Sequence, residues 1–165
     1  MNPWTLAGQT ALVTGATAGI GLAIGEELIR LGANVIGVAR DRERLARWEE
    51  EHPGARGIAG DVSNEQDRRA IFERIDRLQI LVNNAGTNIR RKAVEYTDDE
   101  YRQIRETNMD AAFAMCRLAY PLLRQAEDAS VVNVVSVAAF RHLGTGVPYA
   151  MTKAAVEHMT RGLAA

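Results

Sequence analysis

A tyrosine and a lysine four positions apart, Tyr149 and Lys153, are the residues of this sequence best suited to acid–base chemistry. On a helix, residues four apart lie on one face, so the phenol and the ammonium would be neighbours. An ammonium near a phenol favours the phenolate and lowers its pKa from the usual ~10, which suits a tyrosine to proton transfer near neutral pH. The chain has four tyrosines and two lysines, and a chance helical pair remains the alternative.

A serine thirteen residues before the tyrosine, Ser136, lies at the end of a valine-rich stretch that reads as a strand. If the intervening loop folds back, the Ser136 hydroxyl would bind a substrate carbonyl beside the phenol. The alternative is a strand-terminal serine that satisfies a nearby backbone group.

A glycine-rich segment from Thr14 to Gly21, with Gly15 and Gly19 inside it, is suited to binding phosphate. Glycines allow a tight turn and a close approach of the backbone to a pyrophosphate. The helix that follows offers free N–H groups and a positive dipole end. An ordinary glycine turn is the alternative, but a strand before the segment and a helix after it favour a dinucleotide site.

The residues after the second predicted strand determine which dinucleotide is expected. An acidic residue there binds the ribose 2′-hydroxyl of NAD, whereas an arginine suits the 2′-phosphate of NADP. Here Arg40 comes first and Asp41 follows it. We interpret Asp41 as a helix N-cap, so Arg40 predicts NADP(H), with NAD(H) as the alternative.

Short apolar strands alternate with longer amphipathic helices along the whole chain, which predicts βαβ units and a parallel sheet. The predicted strands are Ala11–Thr14, Asn34–Ala39, Arg56–Gly60, Gln79–Val82 and Ser130–Val135. The predicted helices are Ile20–Leu31, Asp41–Glu51, Asn64–Arg77 with Ala70 on its apolar side, most of Asp98–Leu123, and Tyr149 to the end. Right-handed crossovers favour a single α/β domain over residues 1–165, a three-layer, doubly wound, Rossmann-like sheet of about five strands.

Composition excludes several other classes of protein. The 165 residues are 47% hydrophobic and carry a formal charge of −1, which argues against a nucleic-acid partner. No apolar run approaches ~20 residues and no signal peptide is visible, so we expect a cytoplasmic protein without a membrane partner. The single cysteine, Cys116, is expected to be a buried structural thiol, and no metal site is expected.

Several ordered motifs together resemble the short-chain dehydrogenase/reductase family. They are the turn from Thr14 to Gly21, Asp61-Val62, Asn83-Asn84-Ala85-Gly86, Asn108, Ser136, and Tyr149 with Lys153. Asn88-Ile89-Arg90 and the segment Ala119–Leu123 also resemble the tropinone-reductase-like branch of that family.

The resemblance implies a role for each matching residue. The pyrophosphate would be lined by Gly15, Thr17, Gly19, Ile20 and Gly21. The adenine end would contact Asp61 and Val62, the adenine-side ribose would be flanked by Asn84, Ala85 and Gly86, and Asn83 would tie the central strands together.

The resemblance also implies the reaction, a hydride transfer that interconverts a small-molecule ketone and a secondary alcohol. Tyr149 would give the proton, and Ser136 would hold the carbonyl oxygen. Lys153 would bind the nicotinamide ribose and lower the pKa of Tyr149. Asn108 would help to hold a water in a proton relay to Lys153. A homo-oligomer is implied, built from helices equivalent to residues 98–123 and 149–165.

Members of the family continue beyond the position of Ala165 with two further strands and a substrate-binding region, so we expect a C-terminally incomplete sheet. Nucleotide binding without turnover is therefore the alternative to an active reductase. Only the segment Thr87–Ala93 and the loop Ala138–Pro148 are expected to contribute to a substrate pocket, and His142 in that loop is expected to be exposed.

Overall fold

Five parallel strands form one sheet in a computed structural model that describes residues 4–144 and 146–165. The strands are β1 (Thr10–Thr14), β2 (Asn34–Ala39), β3 (Arg56–Ala59), β4 (Ile80–Asn83) and β5 (Ser130–Asn133). Their order across the sheet is β3-β2-β1-β4-β5, and every neighbouring pair is parallel. The predicted α/β fold with a doubly wound parallel sheet is confirmed.

Six helices connect and cover the strands. They are α1 (Gly19–Arg30), α2 (Arg42–Glu51), α3 (Glu65–Phe72), α4 (Asp98–Arg105), α5 (Ala111–Leu123) and α6 (Val147–Leu163). A π-helical turn at Glu106–Asp110 joins α4 to α5, and short 3-10 turns lie at Ala93–Glu95 and Val137–Ala139. Within the described residues, no helix is both long and apolar enough to cross a membrane.

The sheet separates two apolar cores because successive strand residues point to opposite faces. Leu12 of β1 belongs to the core beneath α3 and α5, which also contains Ile71 and Met115. Its neighbour Val13 belongs to the other core, where Trp48 of α2 packs. The strands β1, β2 and β4 are buried on both faces, which explains why they are continuously apolar, whereas residues 130–132 of β5 are exposed.

Three of the helices begin at side-chain caps that the sequence encodes. The Asp41 carboxylate accepts the backbone N–H groups of Glu43 and Arg44 at the start of α2. Asn64 caps α3, and Thr97 forms a capping box at the start of α4. Each cap satisfies N–H groups that have no partner inside the helix.

The third helix differs from its prediction. It ends at Phe72, whereas the sequence pattern extended it to Arg77, and Ala70 is exposed instead of lying on the apolar side. Ile75 and Leu78 are buried as expected, but a turn carries them into the core. Apolar spacing alone does not distinguish the last turn of a helix from a buried turn that follows it.

The strand β2 has the predicted bounds, and apart from the end of α3 the other boundaries lie within two residues of the predictions. β5 ends at Asn133. α6 begins at Val147, because Pro148 fits the first turn of a helix.

Asn83 donates its amide to Asn133 Oδ1 at 2.9 Å and to Cys116 Sγ at 3.3 Å, and so links β4 to β5 and α5. Cys116 is buried, and this burial raises the pKa of its thiol.

The strand order creates a crevice at one edge of the sheet. From β1 the chain winds outward through β2 to β3, and it then returns to the other side of β1 at β4. The loops after β1 and β4 therefore diverge at the carboxyl ends of adjacent strands, which is where open α/β sheets bind ligands.

Close packing at Gly21 supplies a test of this fold. A Cβ at Gly21 would collide with the Gly15 carbonyl oxygen and the Asn84 side-chain amide, so Gly21→Ala should destabilise the protein by about 1–3 kcal/mol through overpacking. In the same helix, a Cβ at Gly25 would lie 3.6 Å from the Trp48 ring, an ordinary contact. Gly25→Ala is the matched control and should be neutral or up to about 1 kcal/mol stabilising. Urea unfolding measures both, and equal stability of the two variants would contradict the packing described for Gly21.

Candidate functional site

A cleft of about 620 Å³ opens at the crevice between the loops after β1 and β4. Most of the residues predicted to bind a dinucleotide line it. These are Gly15, Thr17, Ile20, Arg40, Asp61, Val62, Asn84, Ala85 and Gly86. The loops after the first four strands therefore meet in one site, as the motif order predicts.

The start of α1 is suited to an anion. Gly15 and Gly19 have positive φ angles of 70° and 56°, which a residue with a side chain rarely adopts. The N-cap residue Ala18 makes no side-chain cap, and the first turn contains no acidic residue. The first N–H groups of α1 are thus left for a ligand, and its dipole favours a negative one.

The shape of this turn is fixed by hydrogen bonds to the segment after β4. The buried Thr14 hydroxyl accepts the backbone N–H groups of Asn84 and Ala85, both at 3.0 Å, and donates to the Val82 carbonyl at 3.3 Å. Asn84 in turn donates its side-chain amide to the Thr14 carbonyl at 2.9 Å. Gly21 and Gly19 do not line the cleft; Gly21 is buried, and it allows α1 to pack against this network.

The far end of the cleft carries two charges that face each other. Arg40 is exposed, and its Nη1 lies 3.8 Å from Asp61 Oδ2. Asp61 Oδ1 accepts the backbone N–H and the hydroxyl of Ser63, at 2.9 and 2.7 Å, which fixes the orientation of the carboxylate. Val62 is buried beside it.

Asp41 is occupied as the N-cap of α2. The backbone N–H of Arg44, followed by the charge of its side chain, holds the pKa of the Asp41 carboxyl below its ordinary value. The same carboxylate lies 3.3 Å from Arg44 Nε. The interpretation of Asp41 as a cap is confirmed, and Arg40 is not engaged by it.

Tyr149 and Lys153 lie on one face of α6, as their spacing predicts. Lys153 Nζ is 5.9 Å from the centroid of the Tyr149 ring. Lys153 is buried, it donates to the Val134 carbonyl at 2.7 Å, and burial lowers the pKa of its ammonium. Neither residue lines the cleft itself.

Gly86 links the cleft to this pair. A Cβ placed at Gly86 would lie 3.3 Å from Asn108 Oδ1 and 3.7 Å from Lys153 Nζ. The absence of a side chain at Gly86 therefore leaves Asn108 and Lys153 adjacent to the edge of the cleft.

Asn108 lies in the π-helical turn and is buried. Its amide nitrogen donates to the Thr87 carbonyl at 2.9 Å and to Thr152 Oγ1 at 3.2 Å, and its Oδ1 accepts the Thr87 N–H at 2.7 Å. Asn108 thus joins the segment after β4 to α6, one residue before Lys153. A water relay would use an atom of Asn108 other than this nitrogen.

Ser136 lies at the start of the 3-10 turn that follows β5, where its Oγ accepts the Ala138 N–H at 3.2 Å. This is the contact with a nearby backbone group that was the alternative interpretation of Ser136. The Ser136 hydroxyl has no acceptor for its own hydrogen within residues 4–144 and 146–165, so it can still donate to a ligand.

Several residues that line the cleft were not predicted from the sequence. Ala18, Ala39, Arg44, Gly60 and Thr107 also line the cleft. Thr107 directly precedes Asn108, and Arg44 lies in the first turn of the helix that Asp41 caps, so both could have been found from the motifs beside them. No group of three or more His, Cys, Asp or Glu side chains is placed to hold a metal ion in the described part of the chain.

Comparison with known proteins agrees with this architecture. The family model for short chain dehydrogenase matches residues 9–165. A tropinone reductase homolog of Arabidopsis thaliana is 40% identical over 170 residues, which cover 98% of this chain and 64% of the relative. The chain therefore spans slightly less than two thirds of that relative's length.

Solved structures are similar over the same extent. A putative gluconate dehydrogenase from Agrobacterium tumefaciens superposes with a TM-score of 0.93 at 31% identity, covering 98% of this chain and 67% of that one. A gluconate 5-dehydrogenase from Burkholderia cenocepacia, in complex with NADP and tartrate, superposes with a TM-score of 0.88 at 28% identity, covering 97% of this chain and 66% of that one.

The tropinone-reductase-like resemblance is thus confirmed, and the motifs, the strand order and the family model agree: the chain belongs to the short-chain dehydrogenase/reductase family of oxidoreductases.

Proposed function

We propose that this protein is an NADP(H)-dependent oxidoreductase that interconverts a ketone and a secondary alcohol. The observation that carries the proposal is the convergence of Lys153 and Asn108 on Gly86, at the edge of the cleft, with Tyr149 beside the lysine. A nucleotide held in the cleft would thus end next to an acid–base pair.

The cleft fits a dinucleotide phosphate. The uncapped start of α1 suits the pyrophosphate, and a side chain at Gly21 would displace the turn that forms this part of the cleft. Asp61 and Val62 would contact the adenine, and Asn84, Ala85 and Gly86 would flank its ribose. When bound, the nicotinamide supplies or accepts the hydride.

The protein's own residues would handle the proton and the carbonyl. Ser136 would donate its free hydroxyl hydrogen to the carbonyl oxygen, and Tyr149 would donate the proton that turns this oxygen into an alcohol. Lys153, held by the Val134 carbonyl, would hold the ribose and favour the phenolate that remains after proton transfer. In oxidation, Tyr149 would take the proton back.

Nucleotide binding without turnover is the second candidate. It is supported by the lining of the cleft, which comes from the end of β2, the loops after the first four strands, the starts of α1 and α2, and the π-helical turn. This lining includes none of Ser136, Tyr149 and Lys153.

The proposal includes a homo-oligomer. Phe113 and Tyr120 are exposed and lie seven residues apart on α5, so they share one face of that helix. An exposed aromatic face of this kind suits contact with a second copy of the chain.

The role of Tyr149 predicts a variant that separates chemistry from binding. Tyr149→Phe keeps the ring and removes the hydroxyl that would donate the proton, so the rate of ketone reduction should fall by about 100-fold or more. NADPH affinity, measured by fluorescence titration, should stay near that of the wild type. Tyr101→Phe, at an exposed tyrosine on α4 that does not line the cleft, is the control and should retain activity. Full activity in Tyr149→Phe would show that another group is the acid, and an inactive wild type that binds NADPH would favour the second candidate.

The role of Arg40 predicts the coenzyme preference. Arg40→Asp removes a charge-assisted contact to the 2′-phosphate and should reduce the preference for NADPH over NADH by about 10-fold or more. Arg42→Asp makes the same change at an exposed position of α2 that does not line the cleft, and it should leave the preference unchanged. An unaltered preference in Arg40→Asp would contradict the assignment.

The buried ammonium of Lys153 predicts a pH dependence of stability. Its pKa is lowered on folding, so between that value and the ordinary ~10.4 the unfolded chain binds a proton that the folded chain lacks. The free energy of unfolding of the wild type should therefore rise relative to that of Lys153→Met from about pH 8 to about pH 10. Denaturant unfolding at both pH values measures the difference. Lys92→Met, which removes an exposed lysine, should show no such trend, and a flat difference for Lys153→Met would contradict the shift.

A further inference from the structure

A second cleft of about 620 Å³ lies on the substrate side of the proposed reaction centre and carries an excess of positive charge. We propose that it binds an anionic group of the substrate, a carboxylate or a phosphate ester, through Arg90 and Arg141. This inference rests on the proposed function and narrows its substrate to ketones or alcohols that carry such a group.

The cleft is formed by the two segments that the sequence analysis expected at a substrate pocket, together with the start of α6. Its lining residues are Arg90, Arg91, Lys92, Ala93, Ala138, Arg141, His142, Leu143, Gly144, Gly146, Val147, Ala150 and Met151. It shares no lining residue with the cleft between the loops after β1 and β4.

The charges of this cleft are unbalanced. Four of its residues are lysine or arginine, and none is aspartate or glutamate, although the whole chain has a formal charge of −1. Arg91 is neutralised by Glu100 at 2.7 Å, and Lys92 lies 3.7 Å from Glu95. Arg90 and Arg141 form no ion pair and no side-chain hydrogen bond within the described residues. Two guanidinium groups are therefore left for an anion, and their planar forks suit carboxylate and phosphate oxygens.

The backbone that presents Arg90 is fixed in place. The Tyr96 hydroxyl donates to the Ile89 carbonyl, and Gly146 packs directly against Tyr96. Gly146 has a φ of 103°, and a Cβ there would collide with the Tyr96 hydroxyl oxygen. The segment carrying Arg90 is thus held against the start of α6, which reduces the ordering cost of binding an anion.

The cleft adjoins the proposed acid–base residues along the chain and through one hydrogen bond. Ala138, which lines it, donates its backbone N–H to Ser136 Oγ. Val147 and Ala150, which also line it, lie on either side of Tyr149 in the first turns of α6. A substrate whose carbonyl reached Ser136 and Tyr149 could therefore place its anionic end between Arg90 and Arg141.

Ligand-observed NMR titrations with saturating NADP+ test the proposal without turnover, because a ketone and the oxidised cofactor cannot exchange a hydride. The probes are two matched pairs, dihydroxyacetone phosphate with dihydroxyacetone, and levulinate with methyl levulinate. We expect at least one anion to bind about 10-fold more tightly than its neutral partner, since a charge-assisted hydrogen bond is worth about that factor. The pair that shows the preference distinguishes a phosphate ester from a carboxylate.

Variants assign the preference to the cleft. Arg90→Gln and Arg141→Gln should each weaken binding of the preferred anion several-fold, by about 3-fold to 10-fold, and leave the neutral partner unchanged. Arg124→Gln, which removes an exposed arginine at the end of α5 outside the cleft, should change neither.

Equal affinity for anionic and neutral probes would overturn the proposal, as would a preference that survives in the Arg90→Gln/Arg141→Gln double variant. Reduction of neutral and anionic ketones with equal efficiency would overturn it as well, and would leave the proposed function intact. A preference that depends on both arginines, in a protein that reduces no ketone, would support the anion site and contradict the proposed function alone.

Discussion

The hydroxyl of one buried threonine determines where the functional site can form. Thr14 ends β1, and its side chain accepts two backbone N–H groups from the segment after β4 while donating to the Val82 carbonyl. The glycine-rich turn and the segment Asn84–Gly86 leave the sheet from these two strand ends. Because the hydroxyl binds these two segments together, the walls of the cleft keep their separation. α1 can pack against the two segments only because Gly21 has no side chain.

A second network of hydrogen bonds connects the segment after β4 to the proposed acid–base residues. Asn108 bonds to both backbone groups of Thr87, just after Gly86, and reaches Thr152 on α6. Lys153 follows Thr152 and is held by the Val134 carbonyl after β5. The desolvation that lowers the pKa of this lysine costs stability, a pattern that is common at functional sites. The two networks meet at Gly86.

Local pattern in the sequence predicted most of the fold and much of the cleft. Strands such as β2 and turns such as Gly15–Gly21 depend on residues that are consecutive in the sequence. Right-handed crossovers then restrict the strand orders that the sheet can have. The roles of Thr14 and Thr152 were not predictable, because their partners lie far away in sequence, Asn84 being 70 residues from Thr14. The prediction that α3 extends to Arg77 was wrong because a helix and a buried turn can have the same spacing of apolar residues. The proposed roles of Asn108, Ser136, Tyr149 and Lys153, and those of the cofactor-binding residues, remain predictions.

The proposed reaction requires the crevice between β1 and β4 to hold a nicotinamide dinucleotide. A fluorescence titration of the purified chain with NADPH tests this requirement, because the fluorescence of the reduced nicotinamide changes when it is buried. We expect a saturable enhancement of NADPH fluorescence with one site per chain, which excess NADP reverses by displacement. Absence of binding by a chain whose circular dichroism shows it to be folded would rule out a dinucleotide site in this crevice.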